Sequence, residues 1–188
     1  MKTISQLIIT MMICLFSIQT WAQSGKLFNT DNQLSSNLAT QVFQDKSGFI
    51  WIATRNGLNT YDGYHITIIK KDMSNFLGLN SNYINSIAQD EKEHILLGTN
   101  NSLLEFTGSE FLKIPMLDSK GKELATYVKQ IYPLRNKDVA VATSGYGIML
   151  KKQDEQKCHA MKGEVEKLKY IHKLLEDKRG RLWIITED

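Results

Sequence analysis

The sequence predicts an all-β fold made of four-stranded antiparallel sheets, and the stretch 45–63 shows why. Asp45 and Gly48 bracket a tight turn, because an aspartate can hydrogen-bond its own backbone and a glycine accepts a positive φ. The apolar run 49–54 that follows is typical of a short strand. Asn56 and Gly57 then form the strongest short-range signal for a hairpin turn. Four strands are expected here, at 40–44, 49–54, 58–61 and 65–70.

The spacing of this stretch returns three more times, which indicates a repeat protein. A shift of 45 residues places Asp45 on Asp90 and Thr54 on Thr99. The third copy replaces the aspartate turn by 133–138, and the fourth restores the whole pattern before the sequence stops. The repeats lie near 34–78, 79–123, 124–167 and 168–188.

The second strand of each repeat is apolar at nearly every position, as in 49–53, 95–97 and 139–142. A strand with one wet face would alternate, so both faces of each sheet are expected to be buried. A four-stranded sheet repeated every 40 to 45 residues and packed between copies of itself is a β-propeller blade. Residues 23–188 are therefore expected to form a partial β-propeller of about three and a half blades, which is a fragment because propellers typically have about 4 to 8.

One segment, 165–176, carries two competing signals. Val165, Leu168, Ile171 and Leu175 have the spacing of a helical stripe. The repeat frame instead requires a strand over about 170–176. The frame is preferred because the next turn falls where it predicts, and a short helix that enters the blade is the alternative.

The first 22 residues have the three parts of a secretory signal peptide: a positive Lys2, an apolar core at 7–16 and a cleavage-like end at 20–22. An uncleaved anchor is the alternative, but the apolar core is shorter than the roughly 20 residues that span a bilayer. Removal of 1–22 leaves a net charge of +2, too small and dispersed to indicate nucleic-acid binding, and the single Cys158 permits no internal disulfide.

The pattern D-x-x-G-x-x-W-x-x-T-x-x-G-L-x-x-Y-D at 45–62 resembles the two-component regulator propeller repeat. The resemblance implies a seven-bladed propeller in the extracytoplasmic sensor of a hybrid histidine kinase of the type found in gut Bacteroidetes, which detects breakdown products of glycans. It also implies a location at the periplasmic face of the inner membrane, anchored in the full-length protein. The implied partners are an oligosaccharide, the remaining blades, the downstream kinase domains and a second copy in a homodimer. The kinase parts are absent from these residues, so the chain itself is not expected to be an enzyme.

Periodic recurrence argues against a catalytic role for the repeated residues, because a catalytic residue is needed once and a turn or core residue in every blade. We assign the following residues to the structural repeat: Asp45, Gly48, Trp51, Thr54, Gly57, Asp90, Thr99, Thr143, Asp177, Gly180, Trp183 and Thr186. The sialidase-type Asp box needs a hydroxyl two positions before the aspartate, and Phe43, Ala88 and Leu175 stand there instead. The histidines are widely separated in sequence, so neither a metal site nor a cofactor is expected.

Ligand binding is expected on one face of the propeller. In an up-and-down blade, the turn before the first strand and the turn between the second and third strands emerge on the same face. Amides, a guanidinium and tyrosines in these turns suit sugar recognition, although Asn and Ser are also common turn residues. The candidate ligand-binding residues are Asn37, Arg55, Asn56, Asn82, Asn100 and Tyr146. A secreted propeller enzyme or lectin-like module acting on polysaccharide, and a protein-interaction propeller, are the alternatives.

Overall fold

The computed structural model describes residues 25–72 and 78–187. Nearly all regular structure in these two ranges is β-strand, arranged in four sheets that we call blades 1 to 4 in chain order. The predicted signal peptide at 1–22 lies outside the described residues. Within the described ranges, we find no helix with the length and apolar character that crossing a bilayer requires.

Blades 1 and 2 are four-stranded antiparallel sheets whose strands pair in chain order, which confirms the predicted fold class. The strands of blade 1 are β1 (Ala39–Gln44), β2 (Ile50–Thr54), β3 (Gly57–Tyr61) and β4 (Ile66–Ile69). Those of blade 2 are β5 (Ile84–Gln89), β6 (Ile95–Thr99), β7 (Leu103–Phe106) and β8 (Phe111–Ile114).

Blade 3 has two strands more than the repeat predicts. Its regular strands are β11 (Val128–Pro133), β12 (Val139–Thr143), β13 (Ile148–Lys151) and β14 (Cys158–Ala160). A preceding hairpin, β9 (Met116–Leu117) and β10 (Glu123–Leu124), joins the outer edge, where β9 pairs in parallel with β14. The predicted repeat boundary at 123/124 falls inside this hairpin. The hairpin therefore follows blade 2 in sequence but extends the sheet of blade 3.

Blade 4 contains β15 (Ile171–Glu176) and β16 (Leu182–Thr186). The strand that the repeat frame predicts over 170–176 is confirmed, and a 3-10 helix, Glu164–Lys167, lies just before it. Both signals in 165–176 thus correspond to real structure, in two successive pieces. A second 3-10 helix, Thr30–Asn32, precedes blade 1.

The core lies in layers between neighbouring blades. One buried cluster joins blades 1 and 2, a second joins blades 2 and 3, and a third joins blades 3 and 4. Alternate residues of β6 face different layers: Leu97 packs in the layer shared with blade 1 and Leu96 in the layer shared with blade 3. This is why the second strand of each repeat is apolar on both faces.

Hydrogen bonds at one repeated position also tie the blades together. The first strand of every blade has a register shift at the same place. In three blades, the side chain just after this shift accepts a hydrogen bond from a backbone N–H of the next blade. The bonds are Ile87 to Gln41 at 2.9 Å, Ile131 to Ser86 at 3.0 Å and Leu174 to Gln130 at 2.7 Å.

Candidate functional site

The repeated aspartates of blades 1 and 4 are committed to their own turns. Asp45 accepts the backbone N–H of Phe49 at 3.0 Å and the indole N–H of Trp51 at 2.8 Å. Asp177 makes the same two kinds of bond, to Arg181 at 3.0 Å and to Trp183 at 3.0 Å. The Trp183 indole, followed by the backbone N–H of Arg181, lowers the pKa of Asp177 to about 2. These carboxylates hold the turn to the second strand.

The repeated threonines close the turn between the second and third strands. The Thr54 hydroxyl donates to the Gly57 carbonyl at 2.8 Å, and the Thr143 hydroxyl donates to the Gly147 carbonyl at 2.7 Å. Thr99 makes the matching bond to the Ser102 carbonyl at 3.1 Å. All three threonines are buried, so they stabilise the turns of the candidate face and are not available to a ligand.

Blade 2 holds a charged cluster that the sequence did not predict. Asp90, His94 and Glu105 each offer a ligand atom within 4.8 Å of the others, an arrangement that could hold a metal ion. The His94 Nδ1 lies 2.8 Å from Glu105 Oε1, and the buried ammonium of Lys151 in blade 3 lies 4.0 Å from Asp90 Oδ2. The protein thus supplies its own cation beside the two buried carboxylates. Glu105 is separated from Asp90 by a strand and two turns, so no spacing rule signals the cluster.

On the predicted ligand face, cationic and aromatic side chains form a continuous row across three blades. The Arg55 guanidinium lies 5.6 Å from the centre of the Tyr83 ring, and the rings of Tyr83 and Tyr127 are 6.1 Å apart. The Lys129 ammonium lies 5.5 Å from the centre of the Tyr127 ring. We call these four residues the aromatic row. Tyr83 and Tyr127 hold equivalent positions, each just before the first strand of its blade.

Asn85 adds an unused donor beside the aromatic row. The Tyr127 hydroxyl donates to Asn85 Oδ1 at 2.7 Å, whereas the buried Asn85 Nδ2 has no hydrogen-bond partner among the described residues. Burial, reinforced by a hydrogen bond with Tyr83, raises the pKa of Tyr127 to about 12, so its hydroxyl stays a neutral donor. A buried amide N–H without a partner costs about 1 to 3 kcal/mol.

Of the six predicted ligand residues, only Arg55 belongs to the aromatic row. Asn37 binds Thr30 through its amide, Asn82 Oδ1 accepts the Lys71 N–H at 2.7 Å, and Asn100 Oδ1 accepts the Ser81 hydroxyl at 2.8 Å. These three amides therefore stabilise turns in the structure. Asn56 is exposed next to Arg55, and its backbone N–H donates to the Thr54 hydroxyl at 3.1 Å.

Tyr146 lies apart from the aromatic row, in a cleft of about 430 Å³ on blade 3. The β9–β10 hairpin and the segment around Glu166 form the other walls of this cleft. A second cleft, of about 420 Å³, lies between blades 1 and 2 at the aspartate turns, with Trp51 and Phe106 among its lining residues. Neither cleft brings two of the predicted ligand residues together.

Comparison with known proteins is consistent with the repeat frame. Three segments, residues 33–56, 78–101 and 167–188, match the family model described as two component regulator propeller. In blades 1, 2 and 4 these segments cover the loop before the first strand and the first two strands. Blade 3, in which 133–138 replaces the aspartate turn, is not matched. No curated protein matches the chain significantly.

Solved structures show the same fold at low sequence identity. The extracellular domain of BT4673 from B. thetaiotaomicron is 18% identical with a TM-score of 0.67. The matched region covers 80% of this chain and 22% of the BT4673 chain. That of the hybrid two component system BT3049 from B. thetaiotaomicron is 15% identical with a TM-score of 0.53, and covers 86% and 29%. Virginiamycin B lyase from Staphylococcus aureus is 10% identical with a TM-score of 0.64, and covers 88% and 54%.

These identities establish the propeller fold alone, and the chain spans about a quarter of the length of the two B. thetaiotaomicron domains. The family assignment comes from the repeats themselves. Their three matches coincide with the turns in which aspartate organises the second strand. In these three segments the chain carries repeats that match the two component regulator propeller family.

Proposed function

We propose that the chain is the extracytoplasmic ligand-sensing propeller segment of a hybrid two-component regulator, and that it detects an oligosaccharide. The family match supports the sensing role, and two structures of the same fold are described as extracellular domains of such systems or of related ones. In this proposal the histidine kinase and the remaining blades belong to other parts of the full-length protein.

The aromatic row is the observation that carries the ligand assignment. Tyr83 and Tyr127 present two rings on which the apolar face of a sugar can pack, and Arg55 and Lys129 flank them with donors. An apolar surface with a few converging polar groups is the usual composition of a small-molecule site.

The position of the row also suggests how binding could be transmitted. Arg55, Tyr83 and Tyr127 belong to three consecutive blades, so a ligand that spans the row contacts all three. Such a ligand favours the blade arrangement in which the rings are closest. A downstream kinase would respond to that shift in population.

Calorimetric titration of the purified chain against xylotetraose, maltotetraose and tetragalacturonate tests the proposal. We expect binding of at least one of these, and a loss of affinity of about tenfold in Tyr83→Ala, because one stacking surface is removed. Tyr64→Ala is the matched control, since Tyr64 is an exposed tyrosine in an outer turn of blade 1 and should leave the affinity unchanged. Heat that stays flat across the panel, or an equal loss in both variants, would contradict the proposal.

The alternative of a secreted propeller enzyme is tested in the same samples. An enzyme acting on polysaccharide would release reducing ends from the panel during incubation, whereas a sensor or a lectin-like module leaves the sugars intact. An increase in reducing ends that scales with protein concentration would favour the enzyme.

A further inference from the structure

Two arginines of the described residues lie over an aromatic ring, and they differ in their ionic partners. The Arg181 guanidinium lies 5.4 Å from the centre of the Trp183 ring, and its Nε lies 2.7 Å from the Asp177 carboxylate. The Arg55 guanidinium lies 5.6 Å from the centre of the Tyr83 ring. No ion pair formed within the described residues includes Arg55, which is exposed.

The contact with Tyr83 orients the Arg55 guanidinium without using its donors. A cation–π contact holds a guanidinium over a ring and consumes none of its N–H groups. The five N–H donors of an arginine form a fixed fork that matches the two oxygens of a carboxylate. At Arg181 this place is taken by Asp177 of the same chain. At Arg55 the place is open to a carboxylate from outside the described residues.

The charge of Arg55 also acts on the second ring of the aromatic row. Burial, together with a hydrogen bond with Tyr83, raises the pKa of Tyr127 to about 12, and the nearby Arg55 charge acts in the opposite direction. The rings of Tyr83 and Tyr127 are 6.1 Å apart. An anion bound at Arg55 therefore lies beside the two rings on which a sugar can pack.

The cation at the other end of the row is already paired. The Lys129 ammonium lies 3.1 Å from Glu187 Oε1 and holds the pKa of that carboxyl below its ordinary value. His172 Nδ1 lies 3.5 Å from the same oxygen. A ligand carboxylate at Lys129 has to compete with Glu187, whereas at Arg55 it meets no competitor among the described residues. The row therefore has an open cation at its blade 1 end and a balanced one at its blade 3 end.

We propose that the aromatic row binds an acidic oligosaccharide, with the carboxylate of a uronic acid residue on Arg55 and the adjoining sugar residues packed on Tyr83 and Tyr127. This inference rests on the proposed function, and it adds the charge of the ligand and its direction along the row. The acidic residue lies over blades 1 and 2, and the oligosaccharide extends towards blade 3. A neutral oligosaccharide would use the two rings and leave the fork of Arg55 to water.

Calorimetric titration of the purified chain with tetragalacturonate and with its fully methyl-esterified form tests the inference, because the two ligands share one sugar backbone and differ in charge. We expect the acid to bind about tenfold more tightly, since hydrogen bonds between a guanidinium and a carboxylate are charge-assisted. This advantage should shrink as sodium chloride is raised from about 50 to 300 mM, because salt screens exposed charges.

Substitution of Arg55 separates its charge from its shape. Arg55→Gln should weaken the binding of the acid about tenfold and change the binding of the ester less than about twofold, because only the acid uses the guanidinium. Arg55→Lys keeps the charge and loses the fork, so its affinity for the acid should fall between those of the parent and Arg55→Gln. Arg181→Gln is the matched control, since it removes the other stacked arginine, at the aspartate turn of blade 4, and should leave both affinities unchanged.

Both arginines are exposed, so circular dichroism should show unchanged folding in all variants. Equal affinities for the acid and the ester, with Arg55→Gln altering neither, would overturn this inference while the proposed function stands. An equal loss for both ligands in Arg55→Gln would also overturn it, because Arg55 would then serve the surface without reading charge. Flat heat with every oligosaccharide would contradict the proposed function and this inference together.

Discussion

The Lys151 ammonium of blade 3 lies 4.0 Å from the Asp90 carboxylate of blade 2, and both side chains are buried. Asp90 is the blade 2 counterpart of Asp45, which receives the indole N–H of Trp51. Blade 2 has Leu96 in place of that tryptophan, and Lys151 occupies the position of Phe106. A cation from the neighbouring blade therefore replaces the donor that the repeat has lost.

Replacing Lys151 with methionine should destabilise the chain strongly. The substitution leaves the buried Asp90 and Glu105 carboxylates without a cation from blade 3, and removing one partner of a buried pair costs about 3 to 5 kcal/mol. Urea unfolding would measure the loss. Lys113→Met breaks a half-exposed pair with Glu123 and should cost less than about 1 kcal/mol. Equal effects of the two substitutions would contradict this interpretation.

The same relationship predicts a rescue by the repeat's own chemistry. Lys151→Phe combined with Leu96→Trp rebuilds the Trp51–Phe106–Asp45 arrangement at the next interface. The double variant should be more stable than the sum of the two single changes by about 1 kcal/mol or more, which a double-mutant cycle of urea unfolding measures. Strict additivity would show that the indole cannot take the place of the ammonium.

The turns between the first and second strands of blades 2 and 3 hold a residue other than glycine in the left-handed backbone region. Lys137 has φ 73° and Glu93 has φ 66°, at the position where the other repeats have Gly48 and Gly180. This conformation costs a residue with a Cβ about 1 to 2 kcal/mol. Glycine avoids that cost, but it has more conformational freedom in the unfolded chain, and the entropy that it loses on folding offsets part of the gain. Lys137→Gly should therefore raise the free energy of unfolding by about 0.5 to 1 kcal/mol.

Thermal or urea unfolding checks this gain. Lys178→Gly is the control, because Lys178 is exposed in a turn of the same type but is not one of the described residues with positive φ. It should lower the stability. A loss in both variants would show that the left-handed geometry at Lys137 carries little strain.

Asp177 should make stability pH-dependent at the acid end. Its folded pKa of about 2 lies below the ordinary value of 3.8, because the Trp183 indole N–H and the backbone N–H of Arg181 stabilise the carboxylate. The contribution is thus fully present above about pH 4 and is lost as the pH falls towards about 2. Asp177→Asn should be less stable than the parent at pH 6, and the difference should shrink at pH 3. Urea midpoints at the two pH values measure it, and a constant difference would contradict the assignment.

Cys158 should be inert in the folded chain. Burial raises the pKa of its thiol to about 12, and the side chain is part of the core between blades 2 and 3. In a Cys14→Ser variant, which leaves Cys158 as the single cysteine, an aromatic disulfide reagent should react only as fast as the chain opens. The rate in native buffer should be at least a thousandfold below that in urea. Rapid labelling without denaturant would show that the β13–β14 edge opens independently.

The candidate site was predictable to a limited depth. Topology indicated the face, since the turns before the first strand and after the second emerge together, and Arg55 stood out because it is not repeated. Tyr83 and Tyr127 carried a signal that the sequence does contain, an aromatic at the same position in successive repeats. Asn85 carried no sequence signal, because its unpaired amide nitrogen is apparent only once the position of the Tyr127 hydroxyl is known. The amides of Asn82 and Asn100 resembled ligand groups but accept hydrogen bonds from Lys71 and Ser81 of neighbouring loops.

The sequence by itself determined the all-β repeat, the strand positions of blades 1, 2 and 4 and the aspartate turns. These depend on patterns along the chain, namely apolar strand runs, turn chemistry and the repeat spacing. Only the tertiary structure decided the placement of the β9–β10 hairpin on blade 3, the aromatic row and the Lys151–Asp90 pair. Each of these joins groups that are distant in sequence, as far as 61 residues apart for Lys151 and Asp90. Their contacts depend on how the strands and sheets are arranged in space, which no local pattern in the chain records.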